Sequence, residues 1–333
     1  MRVIDQGSLR IAFVIDENKR LIASVSDGDI RRGLLGGINM DDSVSLVMNR
    51  CPHFFSPSSK NVDRENIVEK YDLTCVPIIS EDGQMIELLS LNDIRRPIKR
   101  ENAVFIMAGG FGTRLKPLTD NCPKPMLPIL DKPLLEHTII RFREQGFHRF
   151  YISTHYLPDI IQQYFGDGTS REIEINYLHE EIPLGTGGAL SLLPSDSLDL
   201  PVVMLNGDIL TDLNFTKLLE FHEENGFDAT MCLREIETQI AYGVVDTLND
   251  VVIGMNEKPS YQHRINTGIY VVSPEFVKST KFNFHIDMPT LLEERISQNY
   301  KIGAMMHPAY WLDIGRITDY QKAQRDIKNI ISF

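Results

Sequence analysis

Residues 12–32 (AFVIDENKRLIASVSDGDIRR) and residues 76–96 (VPIISEDGQMIELLSLNDIRR) align without a gap at an offset of 64. Ile15/Ile79, Glu17/Glu81, Ile22/Ile86, Ser26/Ser90, Asp29/Asp93, Ile30/Ile94, Arg31/Arg95 and Arg32/Arg96 are identical. Each copy reads as an apolar strand, a polar turn (ENK, EDG), a second apolar strand and then S-x-x-D-I-R-R opening a helix. Ser and Asp suit a helix N-terminus, where side-chain oxygens accept free backbone N–H groups. A duplicated unit that exposes one apolar sheet face buries it against its copy. The first hundred residues are therefore expected to form one body built twice, ending near Pro97.

A different pattern follows. IKREN leads into the apolar run AVFIM at 103–107. Strand-like runs (RFYIS, EIEINYL, PVVMLNGD, DATMCLR, VVIGMNE, TGIYVV) then alternate with helical stretches beginning at LLEHTIIRFREQG, PDIIQQYF, FTKLLEFHEEN and MPTLLEERISQ. Such alternation predicts an α/β fold around a mostly parallel sheet. The length of 333 residues fits two domains, with a boundary near residue 100.

Composition narrows the partners. A net charge of −12 works against the phosphate attraction that drives binding to nucleic acids, so these are excluded as partners. Small phosphorylated ligands stay compatible, because a few placed cations override the global sign. Cys51, Cys75, Cys122 and Cys232 lack C-x-x-C spacing and read as buried reduced thiols rather than a zinc site. The first fifteen residues carry Arg2, Asp5 and Arg10 and lack a secretory apolar segment. No apolar run approaches the roughly 18 residues of a membrane span. The expectation is a cytoplasmic protein with no membrane partner.

The chemistry concentrates at VFIMAGGFGTRLKPLTDNCPKPMLP, Val104–Pro128. A buried strand runs into Ala108, Gly109, Gly110, Phe111, Gly112, Thr113 and Arg114. Glycines at the carboxyl end of a strand let backbone N–H groups approach phosphates closely. Arg114 and Lys124 supply the positive charge that phosphoryl transfer needs. A P-loop would require GxxxxGK[ST], which is absent. A dinucleotide fingerprint would require G-x-G-x-x-G/A, but Leu115 stands at its last position. No HExxH or H-x-x-E-H spacing accompanies His137, His148 or His155. Glu180 and Glu181, before the second glycine run, read as a solvated pair, with a ribose or sugar hydroxyl as the alternative partner.

The full run resembles the signature of sugar-phosphate nucleotidylyltransferases, G-G-x-G-T-R-L-x-P-L-T…P-K-P. Five later segments match that family in order: Leu184–Ala189 (LGTGGA), Leu205–Asp208 (LNGD), Glu257–Pro259 (EKP), Asn266–Tyr270 (NTGIY) and Trp311–Gly315 (WLDIG). The resemblance spans about 102–333. It implies a Rossmann-like, GT-A-like mostly parallel sheet and a Mg²⁺-dependent in-line transfer. In that transfer a sugar 1-phosphate attacks the α-phosphate of a nucleoside triphosphate and pyrophosphate leaves. It implies catalytic roles for Arg114, Lys124, Asp208, Lys258 and Asp313, with Asp208 and Asp313 holding the metal. Ala108, Gly109, Gly110, Gly112, Thr113, Gly185 and Gly187 are then nucleotide contacts. Glu257, Asn266 and Thr267 are sugar contacts. PLGTGGAL is similar to the mannose- and heptose-1-phosphate guanylyltransferase branches, which favours GTP. Glucosamine-, mannose- and heptose-type acceptors stay open, as does use of UTP, dTTP or CTP. A catalytically dead sensor or scaffold, and a dehydrogenase-like nucleotide-sugar binder, are the competing classes.

The N-terminal repeat (1–98) resembles a tandem pair of CBS domains, an α+β module. Its S-x-x-D element implies adenine-nucleotide contacts at Ser26, Asp29, Ser90 and Asp93; the alternative is a packing or dimerisation module without ligand. The first copy lacks the family's leading strand and most of its first helix, of which MRVIDQGSL stands, and is expected to be incomplete. A CBS pair fused to such a catalytic domain resembles the guanylyltransferases of bacterial nonulosonic (legionaminic) acid pathways and implies a homo-oligomer.

Overall fold

The computed structural model describes residues 1–7, 9–59, 61–95, 97–194 and 198–330. Arg96, the last residue of the repeat, lies outside these. The chain divides into two compact units, Met1–Pro97 and Ile98–Phe333.

In the first unit each repeat forms a two-stranded antiparallel hairpin. Ile11–Ile15 pairs with Leu21–Ser26, and Cys75–Ile79 with Met85–Ser90. The register slips at Val14/Ile15 in one and at Ile78/Ile79 in the other, the same place in the repeat. The two hairpins meet through an antiparallel bridge between Arg20 and Gln84, which are repeat equivalents. The Leu21 amide donates to the Gly83 carbonyl (3.2 Å) and the Met85 amide to the Lys19 carbonyl (2.9 Å). The two bonds are thus repeat equivalents, related by a local two-fold as in an isologous interface. Both S-x-x-D elements are helix caps. Ser26 Oγ donates to Asp29 Oδ2 (2.7 Å) and accepts the Asp29 amide (3.1 Å). Ser90 and Asp93 repeat this at 2.6 and 3.2 Å.

The second unit is built on a seven-stranded sheet: β1 (Arg100–Met107), β2 (Phe147–Thr154), β3 (Glu174–His179), β4 (Val202–Asn206), β5 (Ala229–Gln239), β6 (Ser260–Val272) and β7 (Ile302–Met306). The order across the sheet is β7-β5-β6-β4-β1-β2-β3. All pairs are parallel except those of β6 with β4 and β5. Central strands are apolar without interruption because both faces are covered. Val104 and Ile106 point into one core with Val203 and Leu205, while Ala103 and Phe105 point into the other with Val202 and Met204. The helices Leu134–Arg143, Pro158–Phe165 and Phe215–Asn225 cover the first face. Met288–Ser297 covers the second.

Two expectations need correction, and one element lies outside them. VVIGMNE is not a strand of this sheet: Val251–Asn256 pairs with Val244–Leu248 in a separate, exposed hairpin. Period-2 apolarity cannot distinguish the two placements. The thiols are not uniformly buried: Cys75 and Cys232 are, Cys122 is half-buried and Cys51 is exposed. The C-terminal helix Ile317–Ile330 was not foreseen; Ala323, Ile327 and Ile330 pack it onto Leu115, Leu127 and Leu312 beneath the site described next. Among the described residues no helix is long and apolar enough to cross a membrane.

Candidate active site

β1 and β4 lie side by side and parallel, but the chain leaves β1 toward β2 on one side while β4 adjoins β6 on the other. At such a reversal the loops leaving adjacent carboxyl ends diverge and open a crevice. Met107 pairs with Asn206 at the two strand ends. The Gly207 amide then donates to the Met107 carbonyl at 2.8 Å. A Cβ on Gly207 would stand 2.7 Å from that oxygen, so only glycine lets the strands stay this close. The next residue is Asp208.

Asp313 reaches the same place by another route. Ile209–Thr211 pairs antiparallel with Trp311–Asp313, opposing Ile209 to Asp313, and the Ile314 amide donates to the Asp208 carbonyl at 3.0 Å. Lys124, 8% exposed, donates its ammonium to Asp208 Oδ2 and lies 3.8 Å from Asp313 Oδ1. Asp208 Oδ1 is buried and has no hydrogen-bond partner among the described residues. Burial, and then the charge of Asp208, push the Asp313 carboxyl above its ordinary range; Lys124 and Arg114 pull it back. Two converging carboxylates, one with an orphaned buried oxygen, fit a hard divalent cation that takes one or two protein carboxylates and completes its shell with phosphate oxygens and water.

The first glycine loop forms one arm of the crevice. Gly110, Gly112, Thr113, Arg114, Lys124, Asp208 and Gly315 line it together. Gly112 has a left-handed φ of +63°, and a Cβ there would meet Thr119 Cγ2 at 2.9 Å. Thr119 Oγ1 donates to the Gly112 carbonyl (2.8 Å), which fixes the bend. Gly110 faces open space. Thr113 and Arg114 are exposed. The Ala108 amide instead donates to the Ser153 carbonyl of β2 (3.0 Å), so this residue anchors the loop and offers no free donor.

A second arm lies between the two glycine loops, lined by Met107, Gly109, Gly110, Phe111, Glu180, Pro183, Gly185, Thr186 and Asp287. Gly185 has φ +73°. The Gly187 amide is bonded to the Ile286 carbonyl (2.9 Å), and a Cβ at 187 would press on Ile286 and Asp287. Gly187 therefore packs the loop rather than presenting an amide to a ligand. A third arm holds Asn266, Thr267, Gly268, Tyr270, Trp311 and Asp313. Asn266 Nδ2 donates to Tyr270 Oη (2.6 Å). The Thr267 hydroxyl is turned away and donates to the Cys232 carbonyl (2.9 Å), so its side chain is not available to a sugar. Glu257 and Lys258 stand exposed just after the Val251–Asn256 hairpin, outside the lining of all three arms.

Three site residues escaped the sequence reading. Glu180 is not solvated but 6% exposed: its carboxylate accepts Ser153 Oγ (2.8 Å) and the Leu184 amide (3.0 Å). Asp287 precedes the helix Met288–Ser297 but does not cap it; its carboxylate accepts the Thr186 amide (3.2 Å) while Thr186 Oγ1 accepts the Met288 amide (2.8 Å). Asn206 packs on Gly268, where a Cβ would come 2.5 Å from its amide nitrogen. Asp287-Met-Pro, a helix-start signal, was the available pointer to the second.

This arrangement agrees with what the chain is similar to. It is 35% identical over 231 residues to the D-glycero-α-D-manno-heptose 1-phosphate guanylyltransferase of Aneurinibacillus thermoaerophilus, covering 68% of this chain and 98% of that protein. It is 32% identical over 232 residues to a mannose-1-phosphate guanylyltransferase of Mycobacterium tuberculosis, covering 67% of this chain. It spans 63% of that protein's length, as it spans 62% of the relatives it matches in Oryza sativa. The crystal structure of HddC from Yersinia pseudotuberculosis superimposes with a TM-score of 0.53 at 29% identity, over 68% of this chain and 99% of that one; HddC is also solved with GMP-PN. Residues 103–330 match the nucleotidyl transferase family, and the chain belongs to it.

Proposed function

We propose that the chain is a sugar-1-phosphate guanylyltransferase, transferring GMP from GTP to a sugar 1-phosphate with release of pyrophosphate. The observation that carries the reading is the convergence of Asp208, Asp313 and Lys124 at the β1/β4 crevice, beside a glycine loop that bears Arg114. The similarity to mannose- and heptose-1-phosphate guanylyltransferases favours guanine and a hexose- or heptose-type acceptor.

The step is one displacement. An oxygen of the sugar 1-phosphate forms a bond to the α-phosphorus, the bond from that phosphorus to the bridging oxygen breaks, and pyrophosphate carries the electron pair away. The nucleophile is already anionic, so no general base is required. The protein's part is positioning and charge neutralisation. The third arm holds the sugar through Asn266, with Trp311 as a wall. The glycine loop receives the triphosphate, with Arg114 facing the leaving pyrophosphate. Lys124 is bound to Asp208 here and is placed to move onto the transferring phosphoryl group. Asp208 and Asp313 would hold Mg²⁺, which supplies Lewis-acid neutralisation of the phosphates. Lys258 has the charge to hold the sugar phosphate, but it stands exposed outside the third arm.

For residues 1–98 we infer a tandem CBS pair, supported by the duplicated hairpins and their two-fold contact. The ligand-free packing reading is favoured over adenine-nucleotide binding, because Ser26, Asp29, Ser90 and Asp93 already bond to one another as caps. The fusion supports an amino-sugar acceptor of the nonulosonic (legionaminic) acid type, homo-oligomerisation and a cytoplasmic setting. The test of the catalytic reading is pyrophosphate release from GTP and sugar 1-phosphate at saturating Mg²⁺. Asp208→Ala is expected to lose about 100- to 1,000-fold in kcat; near wild-type release would sink the assignment.

A further inference from the structure

The third arm depends on a stretch of chain that is neither strand nor helix. β7 ends at Met306, and the chain then crosses through 307–310 to become the strand Trp311–Asp313. Irregular backbone that is partly buried needs partners for its amides and carbonyls. The His307 amide donates to the Leu233 carbonyl of β5 (3.1 Å). The Tyr310 carbonyl accepts Thr211 Oγ1 (2.6 Å) and the Asp212 amide (3.3 Å). Tyr310 Oη donates to Asp326 Oδ2 (2.8 Å) on the C-terminal helix, and Trp311 Nε1 donates to the Thr267 carbonyl (2.9 Å). A further strap comes from the side chain of Arg234 on β5. Its Nη1 donates to the carbonyls of Ala309 (3.4 Å) and Trp311 (3.2 Å).

We propose that Arg234 is a positioning residue for the acceptor: by holding the Ala309 and Trp311 carbonyls it sets the place of Trp311 and Asp313 in the third arm. This role rests on the guanylyltransferase reading and lies on its sugar side. Arg234 lines none of the three arms, so its effect passes through the strand it holds. Its place in the sheet accounts for the contact. β5 pairs with β7 as far as Leu233 opposite Met306, and Arg234 is the next residue, where the backbone ladder stops and a side chain takes over. A guanidinium stays charged, and one of its nitrogens carries two hydrogens that can serve two carbonyls. Its buried neighbour does not oppose that charge. His307 is 3% exposed, and burial, then the charge of Arg234, hold its imidazole below the ordinary range. Trp311 and Asp313 line the third arm and neither of the two arms lined by the glycine loops. A shift of their strand therefore disturbs the sugar 1-phosphate and leaves the nucleotide's contacts with those loops in place.

The test is steady-state kinetics of the full chain at saturating Mg²⁺, with GTP and whichever of mannose, heptose or glucosamine 1-phosphate it uses fastest. In Arg234→Met, kcat/KM for the sugar 1-phosphate is expected to fall roughly 10- to 100-fold, mostly through KM, the loss of hydrogen bonds from a charged donor. KM for GTP is expected to stay within about twofold of the wild type. Arg234→Lys, which keeps a charged donor for the two carbonyls, is expected to recover most of the loss. A residue that served stability alone would lower the melting temperature and the active fraction, so kcat would fall with both KM values unchanged; that result overturns the proposal. An equal rise of KM for GTP and for the sugar 1-phosphate also overturns it. Failure of both variants to fold assigns Arg234 to the fold and overturns it as well. Calorimetric titration with the same sugar 1-phosphates separates this role from the reading it rests on. A wild type that forms no nucleotide sugar contradicts the proposed function. Weaker sugar 1-phosphate binding in Arg234→Met than in the wild type then still supports the role of Arg234, and unchanged binding overturns it. A wild-type chain that binds none of the three contradicts both.

Discussion

At the scale of single residues the site is held in a state that is unfavourable for the fold. Asp313 is exposed but stands beside Asp208, and its ionised form is disfavoured in the folded chain. The neutral isostere Asp313→Asn should therefore raise the melting temperature at pH 7 while lowering turnover about 100-fold. Differential scanning fluorimetry beside a pyrophosphate assay checks both; a variant that loses turnover and stability together would show that the carboxylate is structural. The candidate residues Asp208 and Asp313 were legible in the sequence because one follows and the other ends a short apolar strand in a recognisable segment. Glu180 was not, because two adjacent glutamates look like solvent-facing charge until the Ser153 hydroxyl and Leu184 amide that bind one of them are known. Thr267 failed for the opposite reason. It stands in a matching segment, but strand alternation directs its hydroxyl into the core toward the Cys232 carbonyl.

Among the elements, the helix Phe215–Asn225 carries a titration of its own. His222 is 2% exposed and its Nδ1 lies 2.9 Å from Thr230 Oγ1 on β5. Burial pushes the imidazole down to about 4. The unfolded chain, with histidine near its ordinary value, takes up the proton first as the pH falls. The stability contributed by neutral His222 is thus intact above about pH 6.5 and is lost progressively toward pH 4, by about 2–3 kcal/mol at pH 4.5. Urea unfolding midpoints at pH 7 and 4.5 should show this loss in the wild type and a smaller one in His222→Gln; equal acid losses would contradict it. Helices were the legible elements, since Leu135, Ile139 and Phe142, or Phe215, Leu218 and Leu219, recur at helical spacing and all face the same core. The hairpin at 244–256 was not. Its apolar residues alternate like those of the central strands, but they are exposed, and only tertiary pairing decides which sheet a strand joins.

For the whole molecule, the gapless repeat and the motif order carried the most information. The repeat located a division that the structure places after Pro97. The motif order described a sheet whose β1 and β4 ends bring together residues 84 positions apart, Lys124 and Asp208. What neither could supply was β7 and the C-terminal helix, which lie beyond the glycine motifs and are fixed by packing on β5 and on the Leu115–Leu127–Leu312 cluster. The net charge of −12 is likewise no obstacle to the proposed triphosphate, because a few placed cations such as Arg114 and Lys124, which line the first arm, override the global sign. The central claim is that this chain joins GMP to a sugar 1-phosphate. Its most direct test is mass-spectrometric identification of the product when the full chain meets Mg²⁺, each nucleoside triphosphate including dTTP, and mannose, heptose or glucosamine 1-phosphate. The account predicts a GDP-sugar with stoichiometric pyrophosphate, formed from GTP in preference to the other triphosphates. A nucleotide sugar formed preferentially from UTP, dTTP, CTP or ATP, or none from any pair, would contradict it.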